Sequence, residues 1–517
     1  MMMPAAAHPT LSVAAILAES AIRVPQNTAV IAGAQHISYS QLWRETCAYA
    51  GVLRNRGIKP GDAVALMIPN IPDFPRVYYA ILALGAVAVP IHPLLKASEI
   101  DYVLRDSGAR ILIAADTCLA EAEPATAALG VSLVTVGNTQ SPHAFAIEAA
   151  SCEPLDWYRP MSPLDPAAIL YTSGTSGKPK GAVISHFSLL EQTHISLLDS
   201  FDVGQDDVLC ATLPLSHVFG QSNVLNTAFR RGAAILLIPR FDADTVLEAM
   251  IRENVTIFAG VPTMFIGLLD AARRNPLRPP LRYAISGGAS LNVAVLESVS
   301  AEFDITVYEG YGLTETAPTA TFNHYGQETK PGSIGTPVWG VDVRIADPHI
   351  SEHNVFLKNG EPGEVVIRGH GLFLRYHGLA QETAEAVVDG WFRTGDLGIR
   401  EDSGHITIVD RKKDLILRGG YNIYPREIEE VLARIPGVRS VAVFGIPDVK
   451  HGQEIVAAIV PSRAGSVDEA TIVAYAKKHI AAHKYPREIV LLSELPLGPS
   501  GKVLKRVLAA HFDGSTD

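Results

Sequence analysis

The feature that most narrows the fold of this chain is a repeated alternation of short apolar runs with stretches of helical pattern. The runs at 63–68, 111–114, 208–212, 234–238, 257–259 and 283–286 read as strands, each followed by a helical stretch. Short buried runs separated by helices predict parallel α/β layers, because crossover helices cover a parallel sheet on both faces. From about residue 332 the pattern changes to short strands between Gly and Pro turns, at 341–345, 363–368 and 405–409. That change predicts a small β-barrel or antiparallel sheet within the same large body. Beyond the charged run 410–414 come a helix at 425–433, strands at 440–445 and 455–460 and a helix at 467–479. About a hundred residues suffice for a separate small α+β domain. The charged run itself reads as a solvated turn, or as a hinge if function demands one.

Composition excludes several classes. The 517 residues are 48% hydrophobic and 19% charged, enough for a sizeable core in more than one domain. Lys and Arg number 43 against 54 Asp and Glu, a net charge of −11, and no basic run occurs. A nucleic-acid partner is therefore not expected, since such binding rests on phosphate neutralisation. Any anionic ligand must be met by a few placed cations. Cys47, Cys118, Cys152 and Cys210 lie far apart, with no C-x-x-C pair and no His at metal-ligand spacing, and read as thiols of a reducing compartment. The first 21 residues lack the positive n-region of a secretory signal, so the expected location is cytoplasmic. The stretch 77–95 contains no Lys, Arg, Asp or Glu and has the length of a membrane span, but Gly85, Pro90, His92 and Pro93 interrupt it. A buried helix at 77–84 turning into a buried strand at 86–90 is expected instead, with no integral membrane segment. No amphipathic basic helix or lipidation motif is present.

The most informative segment is Tyr171-Thr-Ser-Gly-Thr-Ser-Gly-Lys-Pro-Lys-Gly181, which follows an apolar run at 167–170. Gly174, Gly177 and Gly181 permit a backbone that wraps an anion with its N–H groups. Hydroxyls of Thr172, Ser173, Thr175 and Ser176 add donors, and Lys178 and Lys180 add charge. This is chemistry for a polyphosphate. It is not a Walker A loop, because Pro179 follows the lysine where the hydroxyl for Mg²⁺ would stand. A turn without ligand would carry the same glycines and hydroxyls; the interleaved lysines argue against it.

This loop resembles the phosphate-loop signature of the adenylate-forming enzymes: acyl-CoA synthetases, aryl-CoA ligases, peptide-synthetase adenylation domains and firefly luciferases. Ser176 stands where Thr is more usual and keeps the hydroxyl. The resemblance continues in order through Pro214-Leu-Ser-His217, Ser286-Gly-Gly-Ala289, Tyr308-Glu-Gly-Tyr-Gly-Leu-Thr-Glu315, Thr394-Gly-Asp396, Asp410-Arg-Lys-Lys-Asp414, Gly419-Gly-Tyr-Asn-Ile-Tyr-Pro425 and Gly501-Lys502. It spans roughly residues 40 to 506, and the ordered set makes coincidence negligible.

The resemblance implies an N-terminal adenylate-forming domain at 1–411 and a mobile C-terminal domain at 412–517 that carries a catalytic lysine. It implies a loop of residues 172–178 and Lys180 on the phosphates. Gly288, Ala289, Glu309, Gly310, Tyr311 and Gly312 would lie at the adenine, with Asp396 and Arg411 at the ribose. Thr314 would bind the α-phosphate and Glu315 the Mg²⁺ of MgATP. Each has a physical basis: Asp396 offers acceptors for a diol, Arg411 fixed donors, and Glu315 a hard oxygen suited to Mg²⁺. A surface ion pair or a capping Thr-Glu pair would explain the same residues in isolation. Lys502 is implied as the mobile cation that bridges the attacking carboxylate and the α-phosphoryl oxygens. Lys413 would be the hinge, and Gly419 and Gly420 would form the loop at the coenzyme A channel.

The reaction so implied joins a carboxylic acid to AMP with release of pyrophosphate and then passes the acyl group to coenzyme A. No protein nucleophile is needed, consistent with the absence of a Gly-x-Ser-x-Gly elbow. Acetate-specific relatives carry Trp three positions before the Mg²⁺ Glu; Gly312 stands there in this chain, which implies a larger acid, whether fatty, aryl or otherwise lipophilic. His217, Val218, Gln221, Val261, Thr263 and Met264, with Gly288 and Ala289, are the implied pocket walls, a mostly apolar set. The alternatives are an adenylation-only enzyme serving a carrier protein or partner enzyme, a luciferase-type oxygenation, and a non-catalytic nucleotide-binding relative. A homo-oligomer is compatible with the sequence.

Overall fold

The computed structural model describes residues 9–137, 144–172, 178–419, 421–463, 465–498 and 503–512. Two large sheets form the N-terminal body. The first has seven strands in the order Arg375–Tyr376, Lys180–Ser185, Pro166–Thr172, Val87–Pro90, Ala63–Met67, Ile111–Ala115 and Ser132–Val136. Its last five strands are parallel, and Lys180–Ser185 turns back antiparallel on Pro166–Thr172. The second has nine strands, with a parallel centre of Thr306–Gly312, Tyr283–Ser286, Ile257–Gly260, Val208–Ala211, Ala234–Leu237 and Thr28–Ala32. Every expected strand of this region is present within two residues at either end.

The stretch without charges folds as anticipated. The helix Asp73–Leu84 is buried along nearly its whole length and ends at Gly85 in the left-handed conformation, after which Val87–Pro90 enters the sheet. It lies in one core continuous with residues of both large sheets, where the rings of Tyr79 and Phe229 stack at 5.8 Å and Tyr39 meets Phe229 edge-on at 5.4 Å. Burying both faces of these strands is what lets them be wholly apolar. Among the described residues no helix is long and apolar enough to cross a membrane. The four cysteines are unpaired thiols.

The third layer is an antiparallel half-barrel of Val341–Ala346, Gly363–Gly369, Trp391–Arg400, Val387–Val388 and Ile406–Arg411. It is open rather than a closed barrel. A separate five-stranded sheet follows, led by the long ladder of Val438–Asp448 against Gly452–Pro461. The helices Pro425–Leu432 and Glu469–His479 cover one face of it and Lys505–Phe512 the other. Pro425 opens the first helix, where a missing N–H costs nothing. The Asp468 side chain caps the second by accepting from the Thr471 amide at 2.7 Å, which sets its start two residues later than the apolar pattern suggests.

Candidate active site

The strands Pro166–Thr172 and Lys180–Ser185 form a hairpin in register up to Thr172 opposite Lys180. Ser173, Gly174, Thr175, Ser176 and Gly177, the expected phosphate loop, lie outside the described residues, as do Gly420 and Lys502. The base of the hairpin is pinned from one side: the Tyr171 hydroxyl donates to Asp106 at 2.6 Å and the Tyr102 hydroxyl to the Pro179 carbonyl at 2.8 Å. Lys178 is exposed, whereas the Lys180 ammonium stands 5.1 Å above the ring of Tyr376. That ring belongs to Arg375–Tyr376, which pairs with the hairpin's second strand.

Tyr376 links the hairpin to the Thr314–Glu315 segment. Its hydroxyl donates to Glu315 Oε1 at 2.8 Å, and the Phe373 amide donates to the Glu315 carbonyl at 2.9 Å. Burial and the adjacent carboxylate push the Tyr376 phenol well above its ordinary range, so it remains a donor. Glu315, itself buried, thus has its carboxylate oriented from behind. Thr314 begins the short turn that carries it.

Four residues before Glu315, the Tyr311 hydroxyl donates to Asp396 Oδ2 at 2.7 Å. Arg411 Nε lies 3.0 Å from Asp396 Oδ1, the two residues facing each other across the half-barrel strands. Asp396 is fixed further by its own amide donating to Thr394 Oγ1 at 3.0 Å, while Thr394 donates to the Val365 carbonyl at 2.7 Å. The Asp396 charge, set against the cost of burial, holds the Arg411 guanidinium above its ordinary value; burial and then Asp396 do the same for the Tyr311 phenol. Each Asp396 oxygen keeps a second lone pair for a further hydroxyl.

Gly288 and Ala289 form an exposed turn after Tyr283–Ser286, next to the strand that carries Glu309 and Gly310. The Glu309 carboxylate enters a backbone cradle, accepting from the Leu291 and Gly332 amides at 3.4 and 3.3 Å. Burial pushes its pKa up to about 7. This side chain therefore ties its strand to the backbone at Leu291 and Gly332 from within. A Cβ on Gly312 would fall 1.6 Å from the Pro318 carbonyl oxygen, so close backbone approach itself demands glycine there.

Of the acyl-pocket candidates, His217 Nδ1 accepts from the Phe219 amide at 3.2 Å, and Val218 and Val261 are core residues. Thr263 is partly exposed in the first turn of Pro262–Ala272, and Met264 packs its sulfur 3.6 Å from Thr212 Oγ1. Gln221 is fully buried within a π-helix, Phe219–Asn226. The sequence reading passed over Phe219 and Asn223 in the same helix, and Tyr376. Phe219 and Asn223 stand two and six positions after His217, off the face that helical spacing from His217 marks; Tyr376 lies 61 positions from Glu315, and no local pattern connects them.

The charged run resolves into parts. Asp410 and Arg411 end a half-barrel strand, and Lys412 to Asp414 form a turn in which Lys412 and Lys413 are exposed. Buried Asp410 accepts from the Arg426 amide at 3.0 Å, and the Arg426 guanidinium donates to the Ile408 carbonyl. Lys505 reaches Glu429 at 2.7 Å, near Asp410 and Asp414. Gly419 stands at φ +57° in the turn joining Ile416–Arg418 to Tyr421–Ile423, a conformation that favours glycine.

Family profiles described as AMP-binding enzyme and AMP-binding enzyme C-terminal domain match residues 17–377 and 427–502. The chain is 34% identical to a feruloyl-CoA synthase of Amycolatopsis sp, over 94% of this chain and 96% of that protein. It is 35% identical to the long-chain-fatty-acid–CoA ligase FadD13 of Mycobacterium tuberculosis, over 93% and 94%. Among solved structures, ATP-bound MatB from Rhodopseudomonas palustris superposes with a TM-score of 0.90 at 30% identity, covering 98% of this chain and all of that one.

Proposed function

The chain belongs to the AMP-binding enzymes, as an adenylate-forming acid–CoA ligase, and we propose that it activates a carboxylic acid larger than acetate, with a fatty, aryl or other lipophilic body. The observation that carries this reading is the convergence of two hydrogen-bonded sets on one segment. Tyr311 reaches Asp396, which pairs with Arg411, while Glu315, four residues on, reaches Tyr376 beneath Lys180. Relatives named for long-chain fatty acids and for ferulate support an acid of that size.

In the first half-reaction the acid's carboxylate oxygen attacks the α-phosphorus of ATP, and the bond to the β-phosphate oxygen breaks to release pyrophosphate. Lys178, Lys180 and the hydroxyls of 172–176 would hold the phosphates, Thr314 the α-phosphate, and Asp396 with Arg411 the ribose. Gly288, Ala289 and 309–312 would frame the adenine, with Glu309 buttressing them. Mg²⁺ bound with the phosphates neutralises their charge. The residue present fits such a role: Glu315 is a buried carboxylate whose hard oxygens would hold the ion beside the phosphates. Lys502 would offset the repulsion between carboxylate and phosphate.

In the second half-reaction the thiol of coenzyme A attacks the acyl carbonyl and AMP leaves. We place the domain boundary after residue 411, where the half-barrel ladder ends, with 412–517 turning about Lys413 to exchange Lys502 for Gly419 and Gly420. Fatty and aryl acids assayed for acid-dependent pyrophosphate release, with and without coenzyme A and with products identified by mass, test the reading. Acyl-CoA formation is the expected result. Acyl-AMP that accumulates despite coenzyme A would move the acceptor to a carrier protein, and nucleotide binding without pyrophosphate release would remove the activity altogether.

A further inference from the structure

The turn that carries Asp396 is gripped from two sides. Along the ladder of Gly363–Gly369 with Trp391–Arg400, Glu364 pairs with Leu397 and Val366 with Arg393, so Thr394, Gly395 and Asp396 are set against Val365 alone. Bulges of this kind re-aim a side chain beside active sites. Gly395 stands at φ +71°, and no atom lies within 4 Å of where a Cβ would be, so conformation rather than crowding calls for glycine. Glu364 holds one side. Its Oε1 accepts from the Gly395 amide at 3.1 Å, and its Oε2 pairs with the Arg393 guanidinium at 2.7 Å, both side chains being buried. Arg393 in turn donates to the Asp347 carbonyl at 3.0 Å, just beyond Val341–Ala346.

The other side is held by the residue before the proposed pivot. The Lys412 amide donates to the Gly395 carbonyl at 2.8 Å; its ammonium donates to the Pro348 carbonyl at 2.6 Å and lies 3.8 Å from Glu364 Oε2. The Gly395 carbonyl and the Asp396 amide belong to one planar peptide unit. That plane is held at its oxygen by Lys412 and at its nitrogen by Thr394 Oγ1, 3.0 Å away. A pull on the chain at 412 therefore reaches Asp396 through a single rigid unit, unless Lys412 is itself anchored.

We propose that Lys412 and Glu364 are positioning residues that anchor the chain just before the pivot, so that Asp396 keeps its hold on the acyl-AMP ribose while the C-terminal domain turns. The assignment rests on the ligase reading and deepens it. The need for such an anchor is chemical. Between the half-reactions acyl-AMP is a mixed anhydride, and a molecule that escapes reacts with water to give back the acid and AMP, with the ATP spent. The Lys412 contacts all go to the half-barrel and the loop at its edge, so the turn starts at Lys413 and not before it.

Pyrophosphate released and acyl-CoA formed, measured in the same reaction, test this, since leaked acyl-AMP raises the first without the second. Lys412→Met keeps the length of the side chain and the backbone hydrogen bond but removes the cation. The excess of pyrophosphate over acyl-CoA, small in the parent, should then grow about two- to fivefold, the scale of one half-exposed charged contact, with acyl-AMP found by mass in the filtrate. Lys412→Arg, which restores the charge, should return the excess to the parent's. Glu364→Gln keeps an acceptor for the Gly395 amide and loses the charge that faces Lys412 and Arg393; it should leak as Lys412→Met does, with thermal melting used to confirm folding. A general loss of stability would lower both products together and leave their ratio unmoved. An excess in Lys412→Met no greater than the parent's, or a Lys412→Arg that leaks as much as Lys412→Met, overturns this assignment alone. No pyrophosphate release from the parent with any acid, or acyl-AMP that accumulates in the parent despite coenzyme A, overturns the ligase reading, and this one with it.

Discussion

The two halves of the site are finished to different degrees. On the side proposed for the nucleotide the polar side chains satisfy one another: Tyr311 with Asp396, Asp396 with Arg411, Tyr376 with Glu315, and Glu309 with two backbone amides. In the helix Phe219–Asn226, which holds the proposed acyl-side residue Gln221, Gln221, Ser222 and Asn223 are buried with bonding capacity unused. A self-paired network is preorganised and pays no reorganisation on binding a fixed partner, which suits a nucleotide. Substitutions on the nucleotide side should therefore lower activity with every acid alike, whereas those on the acyl side should change the order of acids.

The largest expected effect belongs to neither half. Lys502→Ala should lower acyl-AMP formation by about 100- to 1,000-fold while leaving thioester formation from supplied acyl-AMP largely intact. Single-turnover pyrophosphate release and thioester formation from synthetic acyl-AMP measure the two steps separately. Equal loss of both would remove the two-conformation account.

Next in size is Asp396→Ala, which strips Arg411 and the Tyr311 hydroxyl of their shared partner. A drop of about 10- to 100-fold in kcat/KM for ATP is expected, on the scale of hydrogen bonds to charged groups. The same factor should appear with each acid of the panel. Losses that differ among acids would show that Asp396 shapes the acyl pocket too, and the division between halves would fail.

The same division explains what could be read from the sequence. The apolar strands were legible because each depends on neighbours in the chain, as buried runs of four to seven residues; the loop named from glycines, hydroxyls and lysines within eleven positions falls mostly outside the described residues. Asp396 and Arg411 could be named by resemblance, but their ion pair depends on the register of two half-barrel strands. Tyr376 depends on a strand added to the edge of a distant sheet. The acyl candidates were the hardest to read, since Val218 and Val261 lie in the continuous core. Apolarity marks a pocket wall and a core alike, and only packing separates them. The glycine at 312 carries a similar lesson. By resemblance it implies room for a larger acid, and the approach of the Pro318 carbonyl adds a local reason for glycine that no sequence pattern shows.

Glu309 offers a test through stability. Burial raises its carboxyl to about 7 from 4.5. Between those pH values the folded chain keeps a proton that the unfolded chain has released, so this group's contribution to stability falls as pH rises and levels off above 7. Glu309→Gln, which imitates the protonated form, should remove that dependence. Its advantage over the parent should be about 1–3 kcal/mol at pH 8 and vanish near pH 4.5, measured by denaturant unfolding across pH. Parallel curves for the two proteins would mean that the cradle of the Leu291 and Gly332 amides already compensates the charge.

The smallest expected effect is the sharpest test of a self-paired network. Tyr376→Phe keeps the ring beneath Lys180 and removes only the hydroxyl that orients Glu315. The net value of one such bond is about 1–2 kcal/mol, so kcat/KM for MgATP should fall about 5- to 30-fold. If the hydroxyl acts by holding Glu315 for Mg²⁺, the deficit should shrink as free Mg²⁺ is raised, because mass action refills a weakened site. It should also be the same for each acid of the panel. A deficit that ignores Mg²⁺ but varies with the acid would place Tyr376 on the acyl side and transfer one member of the finished half to the unfinished one.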